Sequence, residues 1–273
     1  MQKITPLTDE AGCITQTINV DDSVKINNGW KTFHTLWTGG LDSTTRVAQL
    51  SRLPVNVKLY YVLDSSRPST PIELCAMERI LYRLRHDSAT KANLSDLIKI
   101  HVDEIPADEA ITHAWRELNR KYGVGSQYDF LARYAKERDI VFELSVEKGD
   151  GRAQQSINAE SEMEAVNSNF HINKQKSSSE AALLFDRFDF PLWDKNKHDE
   201  VRLLESLGLG DLVEMTWFCH TPLFGKPCGH CNPCKDVRHY GFSWRLSRTN
   251  WLLWYVLRPK LVAKLLLRTL RLH

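Results

Sequence analysis

Nine consecutive residues, Trp37-Thr38-Gly39-Gly40-Leu41-Asp42-Ser43-Thr44-Thr45, hold the densest chemistry in the chain. Glycines at 39 and 40 let backbone N–H groups converge on one point. Ahead of them, Thr32-Phe33-His34-Thr35-Leu36 is short, apolar and β-prone; behind them, Arg46-Val47-Ala48-Gln49-Leu50 reads as the opening of a helix. A strand, a Gly-Gly turn and a helix N-terminus make a cradle for phosphate, because unpaired amides and the positive end of the helix dipole both favour an anion. Ser43, Thr44 and Thr45 are expected to donate further hydrogen bonds to phosphate oxygens. The spacing is not that of a Walker A loop, which needs Gly-x-x-x-x-Gly-Lys-Ser/Thr. The plainer alternative is a strand–helix turn capped by Asp42 or Ser43.

A second cluster lies far along the chain. Cys219, Cys228, Cys231 and Cys234 fall within sixteen positions, in a chain with six cysteines. Four thiolates in one loop can close a tetrahedral zinc site. Gly225 and Gly229 permit tight bends, while Pro222, Pro227 and Pro233 stiffen the path. An iron–sulfur cluster is the competing reading, since Cys-x-x-Cys-x-x-Cys also occurs in ferredoxin-type runs. His220, His230 and His239 are expected outside the metal's own shell, which the four sulfurs complete. Cys13 and Cys75 are expected to be plain thiols. Cysteines used for metal, with no secretory leader, point to a reducing, cytoplasmic setting.

Together the two clusters resemble the 7-cyano-7-deazaguanine synthase family of the PP-loop ATP pyrophosphatases. That family joins a Ser-Gly-Gly-x-Asp-Ser-Thr-Thr loop to a C-terminal Cys-x8-Cys-Gly-x-Cys-x-x-Cys loop; here Thr38 replaces the first Ser. The stretch Pro191-Leu192-Trp193-Asp194-Lys195-Asn196-Lys197 is similar to the family's Pro-Leu-x-x-x-x-Lys segment. The resemblance implies ATP bound by Thr38, Gly39, Gly40, Leu41, Asp42, Ser43, Thr44 and Thr45, with Mg²⁺ on the phosphates near Asp42 and a structural Zn²⁺ on the four cysteines. It implies catalytic roles for Asp42, Ser43 and Lys197; a solvated surface lysine is the plainer reading of the last. The implied reaction adenylates the carboxylate of 7-carboxy-7-deazaguanine, releasing pyrophosphate. Ammonia then displaces AMP to give an amide, and a second adenylation leads to the nitrile.

Departures from the family lie on the substrate side. Ser126 or Gln127 stands where the family has an Arg. Asp64-Ser65-Ser66-Arg67-Pro68 replaces its Tyr-Gly-Gln-x-His stretch, and Asp150-Gly151-Arg152-Ala153-Gln154-Gln155 its Ser-Gly-Tyr-Pro-Asp region. Transfer of the activated deazapurine to an amine on a protein or other macromolecule, in an antiviral setting, therefore stays open. So do a PP-loop tRNA-modifying enzyme and a degenerate nucleotide-binding module.

These motifs need a scaffold, and 273 residues with 42% hydrophobic content suffice for one large α/β domain. The pattern predicts strands at 32–37, 55–63, 97–102 and 140–146, and helices ending near 52 and spanning 71–88, 108–121 and 129–139. Alternation of strand and helix gives the fold class: a Rossmann-like parallel sheet with helices on both faces, plus a C-terminal zinc loop and a terminal helix. The expected organisation is an N-terminal arm or hairpin at 1–30 and a nucleotide-binding domain at 31–218. Within that domain lies a polar insertion at 148–180, a mobile loop or substrate lid with some helix. The zinc loop follows at 219–240 and a basic amphipathic helix at 241–273. Residues 235–273 hold nine Lys/Arg against Asp236, a charge of +8 on a body of −6. Lys260, Lys264, Arg268 and Arg271 recur there at helical spacing among leucines. Such a helix suits contact with a second copy or another protein. No apolar run is long enough to span a membrane, and direct nucleic-acid binding is not expected.

Overall fold

The computed structural model describes residues 29–63, 67–149, 151–166 and 169–250. The expected N-terminal arm, Cys13, Asp64-Ser65-Ser66, Asp150 and most of the basic terminal helix lie outside the described residues.

The chain runs β1 (Thr32–Leu36), α1 (Leu41–Ser51), β2 (Asn56–Leu63), α2 (Thr70–Arg85), β3 (Asn93–His101), α3 (Glu109–Tyr122), α4 (Gln127–Glu137) and β4 (Phe142–Glu143). It continues through α5 (Arg152–Glu160), β5 (Glu162–Val166), β6 (Asn169–Asn173), α6 (Ser179–Phe185), β7 (Phe188–Asp189), α7 (Lys197–Ser206), α8 (Leu212–Met215) and α9 (Asn232–His239). Five strands form one sheet in the order β3-β2-β1-β4-β7, every pair parallel.

Strand β2 shows why the sheet is covered on both faces. Its side chains alternate, so Tyr60 and Val62 enter a core with Ile111, Leu131 and Phe185, from α3, α4 and α6. Leu59 and Tyr61 enter the opposite core with Val47, Met77 and Leu204, from α1, α2 and α7. The expected Rossmann-like α/β class is the observed one. Strand order reverses between β1 and β4, and the crevice above their carboxyl ends is where such sheets bind ligands. Residues 38–45 leave β1 there, and residues 144–147 leave β4.

Three expectations change. The strand predicted at 140–146 pairs only over Phe142–Glu143, because the chain beyond Leu144 turns into the crevice. The polar segment 148–180 is not a bare loop. It holds α5, the antiparallel hairpin β5–β6 and the start of α6, with Ile157 and Ile172 buried in the α3–α6 core. Cys75 is buried in α2 and disulfide-bonded rather than a plain thiol.

Candidate functional site

The turn after β1 depends on Gly39. Its φ of +69° is open to glycine, and a Cβ there would meet Met77 Cγ at 3.0 Å and the Glu73 carbonyl at 3.3 Å. Gly40 is the N-cap of α1, and no side chain caps it. The expected capping by Asp42 or Ser43 is thus not made, which leaves the first-turn amides to an incoming group. Ser43 Oγ accepts from the Thr38 amide at 3.3 Å, so its own proton remains to be donated.

Thr44 and Thr45 point elsewhere. Both are fully buried. Thr44 Oγ1 accepts from Trp37 Nε1 at 3.0 Å, and Thr45 Oγ1 donates to the Leu41 carbonyl at 2.9 Å. Their hydroxyls serve the core, not the crevice, since α1 turns these positions under the sheet-facing side. Asp42, one position before Ser43, faces the crevice.

Lys197 is brought to Asp42 by the start of α7. Asn196 caps that helix by accepting from the His198 and Asp199 amides at 2.9 and 3.0 Å, and Asp199 Oδ2 accepts in return from the Asn196 amide at 3.0 Å. This reciprocal box fixes the first turn and therefore the direction of Lys197. Its ammonium donates to Asp42, lies 2.9 Å from Glu147 Oε1 and 3.9 Å from Glu200 Oε2. Lys197 is therefore a partly buried, ion-paired lysine, not a solvated surface one.

Three carboxyl groups around one ammonium are too many to be ionised together out of water. Burial works against the charge on Lys197, but Asp42, Glu200 and Glu147 outweigh it and its pKa is raised. Burial pulls the Asp42 pKa up, yet Lys197 and hydrogen bonding with Glu200 bring it below the ordinary value. Burial, then the Asp42 charge, lifts Glu147 to about 7 and Glu200 well above the usual range. Glu200 is 0% exposed, and neither of its oxygens has a donor from the protein. A proton on Glu200 resolves that, since the neutral acid donates to Asp42. Sequence reading missed Glu147 and Glu200. Glu147 lies just beyond β4, and Glu200 stands one helical turn after Lys197, but no motif singled them out.

The cysteine cluster closes as its spacing implied. Cys231 Sγ lies 3.8 Å from Cys219 Sγ and 3.4 Å from Cys234 Sγ, and Cys228 Sγ lies 3.9 Å from Cys234 Sγ. A Zn–S bond of about 2.3 Å sets a tetrahedron edge of about 3.8 Å, so one zinc ion fits between them. All four sulfurs lie within 4.8 Å of one another, which leaves no room for a cluster of several irons. The Cys228 amide donates to Cys219 Sγ at 3.2 Å, and the His230 and Cys231 amides to Cys228 Sγ at 3.4 Å, bonds that favour thiolate.

One cleft joins the two clusters. Thr38, Gly40, Asp42, Glu147 and Lys197 line one wall; His220, Pro233, Asp236 and Tyr240, from around the cysteines, line the other. Trp217 ties the walls together, its amide donating to the Gly39 carbonyl at 2.8 Å. The family model described as queuosine biosynthesis protein QueC matches residues 166–245. Over those residues the chain is similar to QueC. The match takes in Lys197, Glu200 and all four cysteines but stops short of the turn after β1. No curated protein matches the chain significantly. Among solved structures, the chain is similar to NMN synthetase from Francisella tularensis, at 10% identity and a TM-score of 0.38, covering 82% of this chain and 81% of that one. Among the described residues no helix is long and apolar enough to cross a membrane. Ser126 and Gln127, expected near the substrate, do not line the cleft.

Proposed function

We propose that this chain is an ATP-dependent, AMP-forming ligase that adenylates the carboxylate of a deazapurine acid, 7-carboxy-7-deazaguanine, for attack by an amine. The observation that carries the reading is the single cleft shared by the turn after β1 and the cysteine loop, at the crevice where parallel sheets bind ligands.

The turn 38–43 would receive the β- and γ-phosphates on its uncapped amides and the Ser43 hydroxyl. Lys197 would exchange carboxylate partners for phosphate oxygens as they arrive. The substrate carboxylate then attacks the α-phosphorus in line and pyrophosphate departs, a step that needs positioning and charge stabilisation more than a covalent nucleophile. The oxygens of Asp42, Glu147 and Glu200, mutually within 4.8 Å, suit a hard divalent cation and would hold Mg²⁺. Bound there, Mg²⁺ would neutralise phosphate charge. Zinc on the four cysteines would hold residues 219–240 against the cleft and take no part in bond making.

Ammonia as the amine gives an amide, and a second ATP, adenylating the amide oxygen so that it leaves as AMP, gives the nitrile. The altered stretches at 64–68 and 150–155 favour a second version, in which the same acyl adenylate passes to an amine on a protein or other macromolecule. Incubation with ATP, Mg²⁺ and 7-carboxy-7-deazaguanine, read by mass spectrometry, tests both. AMP with an amide or nitrile supports the first; AMP formed in proportion to a deazapurine adduct on added protein supports the second. ADP as the nucleotide product would refute the ligase reading.

A further inference from the structure

Arg67, Lys197 and Arg245 line the cleft with fixed positive charge. Two of them are paired. Arg67 lies 2.8 Å from Glu73, and Lys197 sits among Asp42, Glu147 and Glu200. Arg245 makes no ion pair among the described residues; Glu214 acts on it only from a distance.

Its guanidinium is nevertheless held firmly. Nη2 donates to the Thr216 carbonyl at 2.6 Å and to the Thr216 hydroxyl at 2.8 Å. The guanidinium carbon lies 4.7 Å from the centre of the Phe218 ring, and Phe218 stacks on Trp217 at 6.1 Å and 23°. A guanidinium has five N–H donors. Both bonds to Thr216 use one nitrogen, so Nε and Nη1 have no acceptor among the described residues. Burial brings the Arg245 pKa down to about 10, which keeps it charged at neutral pH. A charge taken partly out of water with no counter-charge is costly, and a planar fork with free donors matches a carboxylate.

Phosphate already has its donors in the turn 38–43 and Lys197. The anion left for Arg245 is therefore that of the second substrate. Trp217 and Phe218 line the cleft beside it and offer flat apolar faces, which suit a planar ring.

We propose that Arg245 recognises the carboxylate of a planar heteroaromatic acid, with Trp217 and Phe218 as the surface against its ring, and so selects the acid that is adenylated. This deepens the ligase reading and rests on it for the identity of the acid. One carboxylate oxygen would take the free donors of Arg245, and the other would stay available to attack.

Calorimetric titration of the full-length, nucleotide-free protein tests it, with 7-carboxy-7-deazaguanine and its neutral 7-carboxamide as probes. Wild type should prefer the acid by roughly 30- to 100-fold, the value of one charge-assisted contact in a partly dry site. Arg245→Gln should lose that preference, and Arg245→Lys should keep part of it. The acid-to-amide ratio is taken within each variant, so a general loss of fold cannot imitate the result. A non-hydrolysable ATP analogue should bind wild type and Arg245→Gln alike. Survival of the preference in Arg245→Gln would overturn the proposal, as would absence of the preference in wild type. Loss of ATP-analogue affinity with the acid unaffected would also overturn it, by making Arg245 a phosphate contact. If the acid binds in an Arg245-dependent way but no AMP forms, the ligase reading fails and this one stands.

Discussion

At one wall of the cleft three carboxyl groups crowd a single ammonium; behind the other, four sulfurs crowd one point with no cationic side chain paired to them among the described residues. The first arrangement is half-satisfied. Glu200 is buried without a protein donor, Glu147 titrates near neutrality, and the first-turn amides of α1 are uncapped. The second is closed: three of its four sulfurs are fully buried and its geometry is already that of a filled tetrahedron. Imbalance suits a wall where partners come and go, and closure suits a place that could hold one metal ion for good. Changes to the two walls should therefore fail differently, the sulfur wall through folding and the carboxylate wall through turnover.

The largest effect is expected at the sulfurs. Cys234→Ser should take zinc from roughly one ion per chain to little or none and cost the C-terminal region its fold, because binding free energy of structural zinc, about 10–16 kcal/mol in small domains, is folding free energy. Metal analysis and soluble yield of protein purified without oxygen measure this. Wild-type protein holding iron and sulfide, or Cys234→Ser keeping its zinc, would break the comparison at once.

Next come Asp42→Ala and Ser43→Ala. Both should lower AMP formation by about 10²- to 10³-fold, the range for losing a group that stabilises developing charge, while zinc content and melting temperature hold. If either variant sheds zinc, the two walls are one cooperative unit and the contrast fails.

The contrast also explains what was legible in the sequence. The sulfur wall was readable because its ligands lie within sixteen positions of each other, so spacing alone carries the geometry. The turn after β1 was readable because a strand, two glycines and a helix start are contiguous. The direction of the Thr44 and Thr45 hydroxyls was not, since burial under α1 depends on packing against β1 and Trp37. Glu147 and Arg245 reach the cleft, and Glu200 reaches Lys197 beneath it, from three separate segments that only the fold brings together. Strand β4 was over-read for the same reason: a β-prone run says nothing of where its neighbour stops pairing. Residues 148–180 were under-read, because a polar hairpin with a few buried side chains has the composition of a loop.

A smaller effect separates the walls by pH. Glu147 has a pKa raised to about 7 by burial and by Asp42. Between its ordinary carboxyl value and that figure, the folded state holds a proton that the unfolded state has released. Stability in magnesium-free buffer should therefore fall as pH rises from about 4.5 to about 7, by roughly 1–3 kcal/mol. Glu147→Gln should flatten this slope, and saturating Mg²⁺ should reverse it by favouring the ionised form. Urea titrations across that range measure the slope; a stability that rises through the window in metal-free wild type would contradict the assignment.

The smallest expected effect lies in the loop between Cys219 and Cys228. Leu223 and Lys226 exchange backbone hydrogen bonds of 3.0 Å around a two-residue turn, Phe224-Gly225. Both turn residues have positive φ, +49° and +69°. That is the geometry of the hairpin turn that favours Asn-Gly, and a bulky aromatic at its first position is strained. Phe224 is also 79% exposed, so its ring gains little from packing. Phe224→Asn should relieve the strain and stabilise the loop by about 0.5–1 kcal/mol, with zinc content and AMP formation unchanged. A rise of a few degrees in the melting temperature of the zinc-loaded protein would fit a turn that limits the loop locally, beneath a metal that decides whether it folds at all. A fall would mean that the Phe224 ring makes a contact worth more than its strain, and that the sulfur wall, like the other, presents a surface to a partner.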